Sequence, residues 1–249
     1  SDLKAFHFLV QQQAAIGNCL LKGNVTRPLV NESRAGSTDR DTPTQLVCLD
    51  ADGLTGVSDA PAFIARLGLQ DYSYVLQWSS SAFLKHDGTT NTDFNAHVFF
   101  LLSEPVSPHR LKLWLKQKNF EQFRPDLRLT ASNMALRWGL DITTCQNDKL
   151  LFIAPPDVHT PYEDTLSGNR ITYHPEQHDY VPATILGLDD LDPDKIRKQE
   201  LDIINELRIE KGLEKKRATS FNLKGTNVEY LAHPSKATIT DTKEDRGFV

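Results

Sequence analysis

One short stretch constrains this chain more than any other: Leu46-Val47-Cys48-Leu49-Asp50-Ala51-Asp52-Gly53, an apolar run closed by two aspartates one residue apart. The run reads as a buried strand, whose side chains alternate with a period of two. Asp50 and Asp52 therefore point to the same side at the strand's end. Two like charges that close repel, and keeping both ionised costs stability unless a cation sits between them. Gly53 follows at once, where the chain turns or something approaches the backbone closely. The pattern predicts a divalent-metal site.

A chain of 249 residues, 39% apolar, has room for one large domain or a domain with a smaller appendage. It holds no apolar run long enough to cross a bilayer, and Ser1-Asp2-Leu3-Lys4 lacks a signal-peptide pattern. Three widely spaced cysteines, Cys19, Cys48 and Cys145, argue against a disulfide framework and for a reducing compartment, which predicts a cytoplasmic protein. The net charge of −5 argues against a uniformly basic DNA-coating protein. Its distribution is uneven. Arg110, Lys112, Lys116, Lys118, Arg124, Arg128 and Arg137 are opposed over that stretch only by Glu121 and Asp126. Such a face holds a polyanion in one groove, or is simply a solvated helix surface.

Periodicity places helices at residues 3–14, from Ser58 or Asp59 with Pro61 early in the first turn to Gly68, from Pro108 through Leu115, and over Asn133–Trp138. Strands are expected at Gly17–Lys22, around Asp50, over Tyr72–Phe83 and over Ala96–Leu102, with Asp87-Gly88 as a hairpin signal. A further strand pair, Leu140–Thr144 and Lys149–Ile153, is joined at Asn147-Asp148. Hairpin-linked strands with helices on one face make an α+β fold with a mostly antiparallel sheet. Residues 157–187 read as irregular, and Asp192-Pro193 opens a charged helix closed by Gly212. The apolar ending Gly247-Phe248-Val249 suggests a piece of a longer protein.

Two carboxylates rarely complete a Mg²⁺ site, so a third acid is expected. Asp141, in Gly139-Leu140-Asp141-Ile142, starts another apolar stretch and is the candidate; alone, it reads equally as a helix-terminus or turn residue. Asn95 and His97 share one face of Asn95-Ala96-His97-Val98-Phe99-Phe100. A histidine there donates to a triphosphate oxygen, or is a hydrogen-bonded core residue. Ser79-Ser80-Ser81 adds hydroxyl donors or forms a polar strand edge. His174-Pro175-Glu176-Gln177-His178 carries a proline that disfavours a zinc-binding helix, and reads as a loop.

These motifs together resemble the archaeo-eukaryotic primase superfamily, and the phage and plasmid primase-polymerases most. Leu49-Asp50-Ala51-Asp52-Gly53 is similar to that family's first motif, His97 to the histidine of its second and Asp141 to its third. Glu32-Ser33-Arg34-Ala35-Gly36 and Ile153-Ala154-Pro155-Pro156 also look like this branch, so the resemblance spans about residues 30–157. The family's usual Ser-x-His is here Asn95-x-His97; the amide replaces the hydroxyl, or Ser80 or Ser81 supplies it.

The resemblance implies template-directed nucleotidyl transfer on an RRM-like catalytic sheet with flanking helices. Asp50, Asp52 and Asp141 would hold two Mg²⁺ or Mn²⁺ ions; His97, Arg34, Ser80, Ser81 and Asn95 would bind the nucleoside triphosphate. Arg110, Lys112, Lys116, Arg124, Arg128 and Arg137 would follow the backbone of a single-stranded DNA template. The catalytic domain is expected over residues 1–187. A small helical accessory region and linker would follow over 188–249, with a helicase domain further along a longer replication chain. Two rivals stay open. The Asp-x-Asp motif also resembles haloacid-dehalogenase-type phosphatases, with Asp50 as nucleophile, Asp52 as general acid/base and Asp189-Asp190 as a later acidic motif. The other rival is a non-catalytic replication-initiator module that binds nucleic acid.

Overall fold

Asn95–Val106 forms the longest strand because its first six residues are all buried, which requires neighbours on both edges and both faces. A computed structural model describes residues 2–30 and 37–216 of the chain. In chain order, the first half has helix α1 (Asp2–Ala15), strands β1 (Cys19–Leu21) and β2 (Thr44–Asp52), helix α2 (Ala60–Arg66), strands β3 (Tyr74–Trp78), β4 (Leu84–His86), β5 (Thr89–Thr90) and β6 (Asn95–Val106), and helix α3 (Pro108–Gln122). There follow β7 (Arg128–Leu129), β8 (Leu136–Arg137), β9 (Leu150–Phe152), β10 (Glu163–Asp164), β11 (Ile171–His174), β12 (Tyr180–Val181) and helix α4 (Pro193–Glu210). This is an α+β fold.

β6 is flanked by β2 and β3, both antiparallel to it, and β11 extends the sheet beyond β3. β12 adds a short parallel pairing to β6 at Leu101 and Leu102. The free edge of β2 takes one more segment: Asp52 N–H donates to the Gly139 carbonyl and Asp141 N–H to that of Asp50. The period of two sorts the core. Leu49, Leu76, Val98 and Phe100 face α2 and α3, where Phe63 and Trp114 are fully buried. Cys48, Val75 and Phe99 face the other way, against α1 and the antiparallel pair β1–β9. Burying each large side chain contributes about 1.5–3 kcal/mol, which outweighs the weak intrinsic stability of helices this short. Beyond α1, the second face ends in polar residues, and the site lies there.

Caps set the helix starts. Asp59 accepts from Ala62 N at 2.8 Å, Ser107 from Arg110 N at 3.4 Å, and Asp192 from Asp194 and Lys195 N. α4 belongs to the unit formed by residues 1–215; the second unit runs from Lys216 onward. Ile196, Ile203 and Ile204 of α4 are buried against Phe120, Leu127, Leu129 and Leu136.

Several expectations are corrected. Residues 133–138 are no helix: β7 and β8 form a hairpin turned at Asn133, whose φ is +57°. Leu129 and Leu136 pair across it into the α4 cluster, and that packing overrides local propensity. Leu140 and Lys149 do not open a hairpin. Ile142–Cys145 is a 3₁₀ turn, and β9 pairs with β1. β3 ends at Trp78 rather than Phe83. Residues 157–187 supply three strands, β10 to β12. α1 lies across the sheet from α2 and α3, so the helices do not share one face. The phosphatase reading needs a parallel sheet wound with helices; β2, β3, β6 and β11 are antiparallel throughout.

Candidate active-site cleft

Where β2 ends, the sheet opens into a cleft of about 640 Å³. Asp50 and Asp52 from β2 and Asn95 from β6 form its floor, with Asp141 beside them. One wall is the turn Ser79–Ser81 after β3; the other is the β7–β8 hairpin with Arg137 and Trp138. The two strand acids thus share one face, as the period of two requires. Asp141, distant in sequence, joins them through the Asp50–Asp141 backbone bond of 3.0 Å.

Asp50, His97 and Gln77 stand directly opposite one another across three strands. Gln77 Nε2 donates to the Trp78 carbonyl at 2.8 Å, which turns its Oε1 towards His97. His97 Nδ1, 2.5 Å away, therefore carries a proton and donates it to Oε1. His97 Nε2 is left facing Asp50 Oδ2 at 3.5 Å. Gln77 was not among the sequence-derived candidates. Its signal was there, as a lone polar residue inside Tyr74-Val75-Leu76-Gln77-Trp78.

The other two acids have cationic partners. Asp52 meets Arg137 at 2.8 Å, an exposed pair. Asp141 Oδ2 meets Lys149 Nζ at 2.8 Å; its two oxygens also accept from Thr143 N and Oγ1, capping the 3₁₀ turn. Burial raises the Asp141 pKa, but the bonds from Lys149 and Thr143 outweigh it and hold the carboxyl below its ordinary value. Of the two strand acids whose repulsion the sequence implies, Asp52 is thus paired with the chain's own Arg137, while Lys149 serves Asp141. Among the described residues, no three His, Cys, Asp or Glu side chains converge as a group able to hold a metal ion. Carboxylate oxygens are the donor type that Mg²⁺ and Mn²⁺ take, and Asp50, Asp52 and Asp141 line one open cleft without converging into such a group.

The remaining sequence candidates divide. Asn95 is buried, donates to the Asp93 carbonyl at 3.3 Å and lines the floor. Ser80 and Ser81 are exposed in the cleft wall. Arg34 lies outside the described residues. The basic stretch is largely engaged elsewhere. Arg110 pairs with Asp189, Lys116 with Glu200 and Arg124 with Glu206. Arg128 donates to the Pro125 and Leu127 carbonyls. Lys112 is half-buried on α3. Arg137 leaves this group altogether, because β8 delivers it to the cleft.

Asn119 is a second omission. Fully buried, it donates to the Leu115 and Leu140 carbonyls and accepts from Leu140 N, fixing the residue before Asp141. No sequence signal marked it, since a lone Asn in a polar helix reads as surface. Compared with protein-family models, with curated proteins and with solved structures, the chain matches none.

Proposed function

We propose that this cleft is the active site of a metal-dependent, template-directed nucleotidyltransferase of the primase-polymerase kind, built on an RRM-like sheet. One observation carries the reading: three carboxylates from two distant segments line one open cleft, beside serine hydroxyls and an arginine. Asp50, Asp52 and Asp141 would hold Mg²⁺ or Mn²⁺. When bound, such ions supply activation of a primer 3′-hydroxyl and neutralisation of the triphosphate charge. Arg137 exchanges its exposed carboxylate partner for a phosphate, at little cost because a surface pair contributes only about 0–1 kcal/mol. His97, oriented by Gln77, is buried outside the cleft lining with Nε2 beside Asp50, so a phosphate contact would reach it past that carboxylate. Ser80, Ser81 and Asn95 offer neutral contacts to the nucleotide, and the template is single-stranded DNA. A cytoplasmic setting and a helicase on a longer chain belong to the same reading.

The test is incubation with single-stranded DNA, labelled nucleotides and Mg²⁺ or Mn²⁺, with Asp50→Asn and Asp141→Asn beside the parent. Asparagine at 141 keeps one oxygen for the bond from Thr143 N, and loses the charge together with the acceptor that Lys149 uses. Template-dependent products are expected from the parent, falling by about 10²-fold or more in each variant. Extension by both variants at the parent rate would refute the assignment. DNA binding without metal-dependent synthesis would select the initiator-module reading instead.

A further inference from the structure

Arg170 is 2% exposed and sits immediately before β11, outside the cleft lining. Its guanidinium makes two sets of contacts. Nε and Nη2 take the two oxygens of Asp164 at 3.1 and 2.8 Å. Nη1 donates to the Ser79 carbonyl at 2.7 Å and Nη2 to that of Ala82 at 3.0 Å. The fork thus grips both ends of the turn that carries Ser79, Ser80 and Ser81 into the cleft.

The rest of the turn is tied back in the same sense. Asn91 Nδ2 takes the Ser81 carbonyl at 3.0 Å, and Thr165 takes that of Phe83 through both its amide and its hydroxyl. Phe83 closes the turn at φ +58°, a left-handed conformation that a bulky residue adopts only when its surroundings impose it. With these carbonyls drawn inward, the amides of Ser80 and Ser81 donate to no acceptor among the described residues. Two successive amides with no acceptor among the described residues, in a turn that lines the cleft and whose Ser79 and Ser81 hydroxyls pair at 3.3 Å, are donors of the kind that a phosphate oxygen accepts from.

We propose that the buried Arg170–Asp164 pair is a positioning element that holds the Ser79–Ser81 turn as a preformed ledge for nucleotide phosphate. The proposal rests on the reading of the cleft as a nucleotide site. Arg170 touches no substrate; it acts through the turn. A planar fork suits this task better than an ammonium, since it bonds a carboxylate and two carbonyls at fixed angles.

Two variants test it. Arg170→Lys keeps the charge and loses the fork. The paired change Arg170→Met with Asp164→Leu removes both charges together, so no buried charge is left alone. Each is titrated with inorganic pyrophosphate while the Ser80 and Ser81 amide resonances are followed, and steady-state nucleotide incorporation is measured alongside thermal melting. In the parent, pyrophosphate should shift both amides. In the variants, cooperative melting should persist. The pyrophosphate response should weaken about tenfold and nucleotide KM rise by a similar factor, with kcat changed by less than about threefold. A folded variant with the parent's pyrophosphate response overturns the proposal, as does a parent whose two amides ignore pyrophosphate. If pyrophosphate moves the amides in the parent and not in the variants while no synthesis occurs, the polymerase reading fails and the positioning role stands.

Discussion

Replacing Lys22 by methionine should remove a pH dependence from the stability of this fold. Lys22 is only 9% exposed, and its Nζ donates to the Cys145 carbonyl at 2.7 Å, a neutral acceptor. Burial pushes its pKa from the ordinary 10.5 down to about 8, against a smaller upward pull from Cys145 and Cys48. At ~1.4 kcal/mol per pH unit, that drop amounts to about 3 kcal/mol. The sign follows from the protons held. Below the folded pKa both states are charged, and the fold bears the full cost. Between about 8 and 10.5 the unfolded chain keeps a proton that the folded chain has released, so stability climbs with pH. Methionine relieves the charge but strands the carbonyl, which costs about 1–3 kcal/mol at any pH. The variant should therefore match or exceed the parent by up to about 2 kcal/mol near neutrality, and fall up to about 2 kcal/mol behind near pH 10, where about 1 kcal/mol of the parent's penalty still remains. Urea unfolding of both proteins at about pH 7 and about pH 10 measures this, and the difference cancels every other titrating group. Parallel pH profiles would refute the reasoning. The effect bears on the cleft, because the Cys145 carbonyl ends the 3₁₀ turn that Asp141 begins.

Other perturbations follow from the same contacts. Lys116→Ala and Arg124→Ala should each change single-stranded DNA affinity by less than about twofold, because Glu200 and Glu206 already engage them; anisotropy across a salt series would show an altered slope if they bound phosphates. Gly139→Ala should destabilise by about 1–3 kcal/mol in urea. Its Cβ would lie 2.9 Å from Asp126 Cβ and Leu54 Cδ2, and the shift would carry Asp141 with it. Asn119→Leu should cost about 2–4 kcal/mol by calorimetry, since both backbone polar groups of Leu140 lose their partner.

Much of the candidate site was legible because its signals are local. Alternation along Leu46–Asp52 and Asn95–Phe100 is enough to put Asp50 with Asp52 and Asn95 with His97 on shared faces. Asp59, Asp192 and the prolines after them marked two helix starts. The misread segments lack such signals. Residues 133–138 carry helix-forming residues, yet Leu136 gains more by facing α4 across a hairpin. Lys116 and Arg124 were read as a template strip because their acidic partners lie 84 and 82 residues away.

What the amino-acid order determined alone was which side chains share a face, since strand and helix periods are properties of the backbone. Only the tertiary structure decided which faces meet. Arg137 reaches Asp52 across 85 residues, Lys149 neutralises Asp141, and Gln77 orients His97. Those pairings arise from sheet register and from the apolar surfaces each element must bury, neither of which is encoded within a few residues of the groups they bring together.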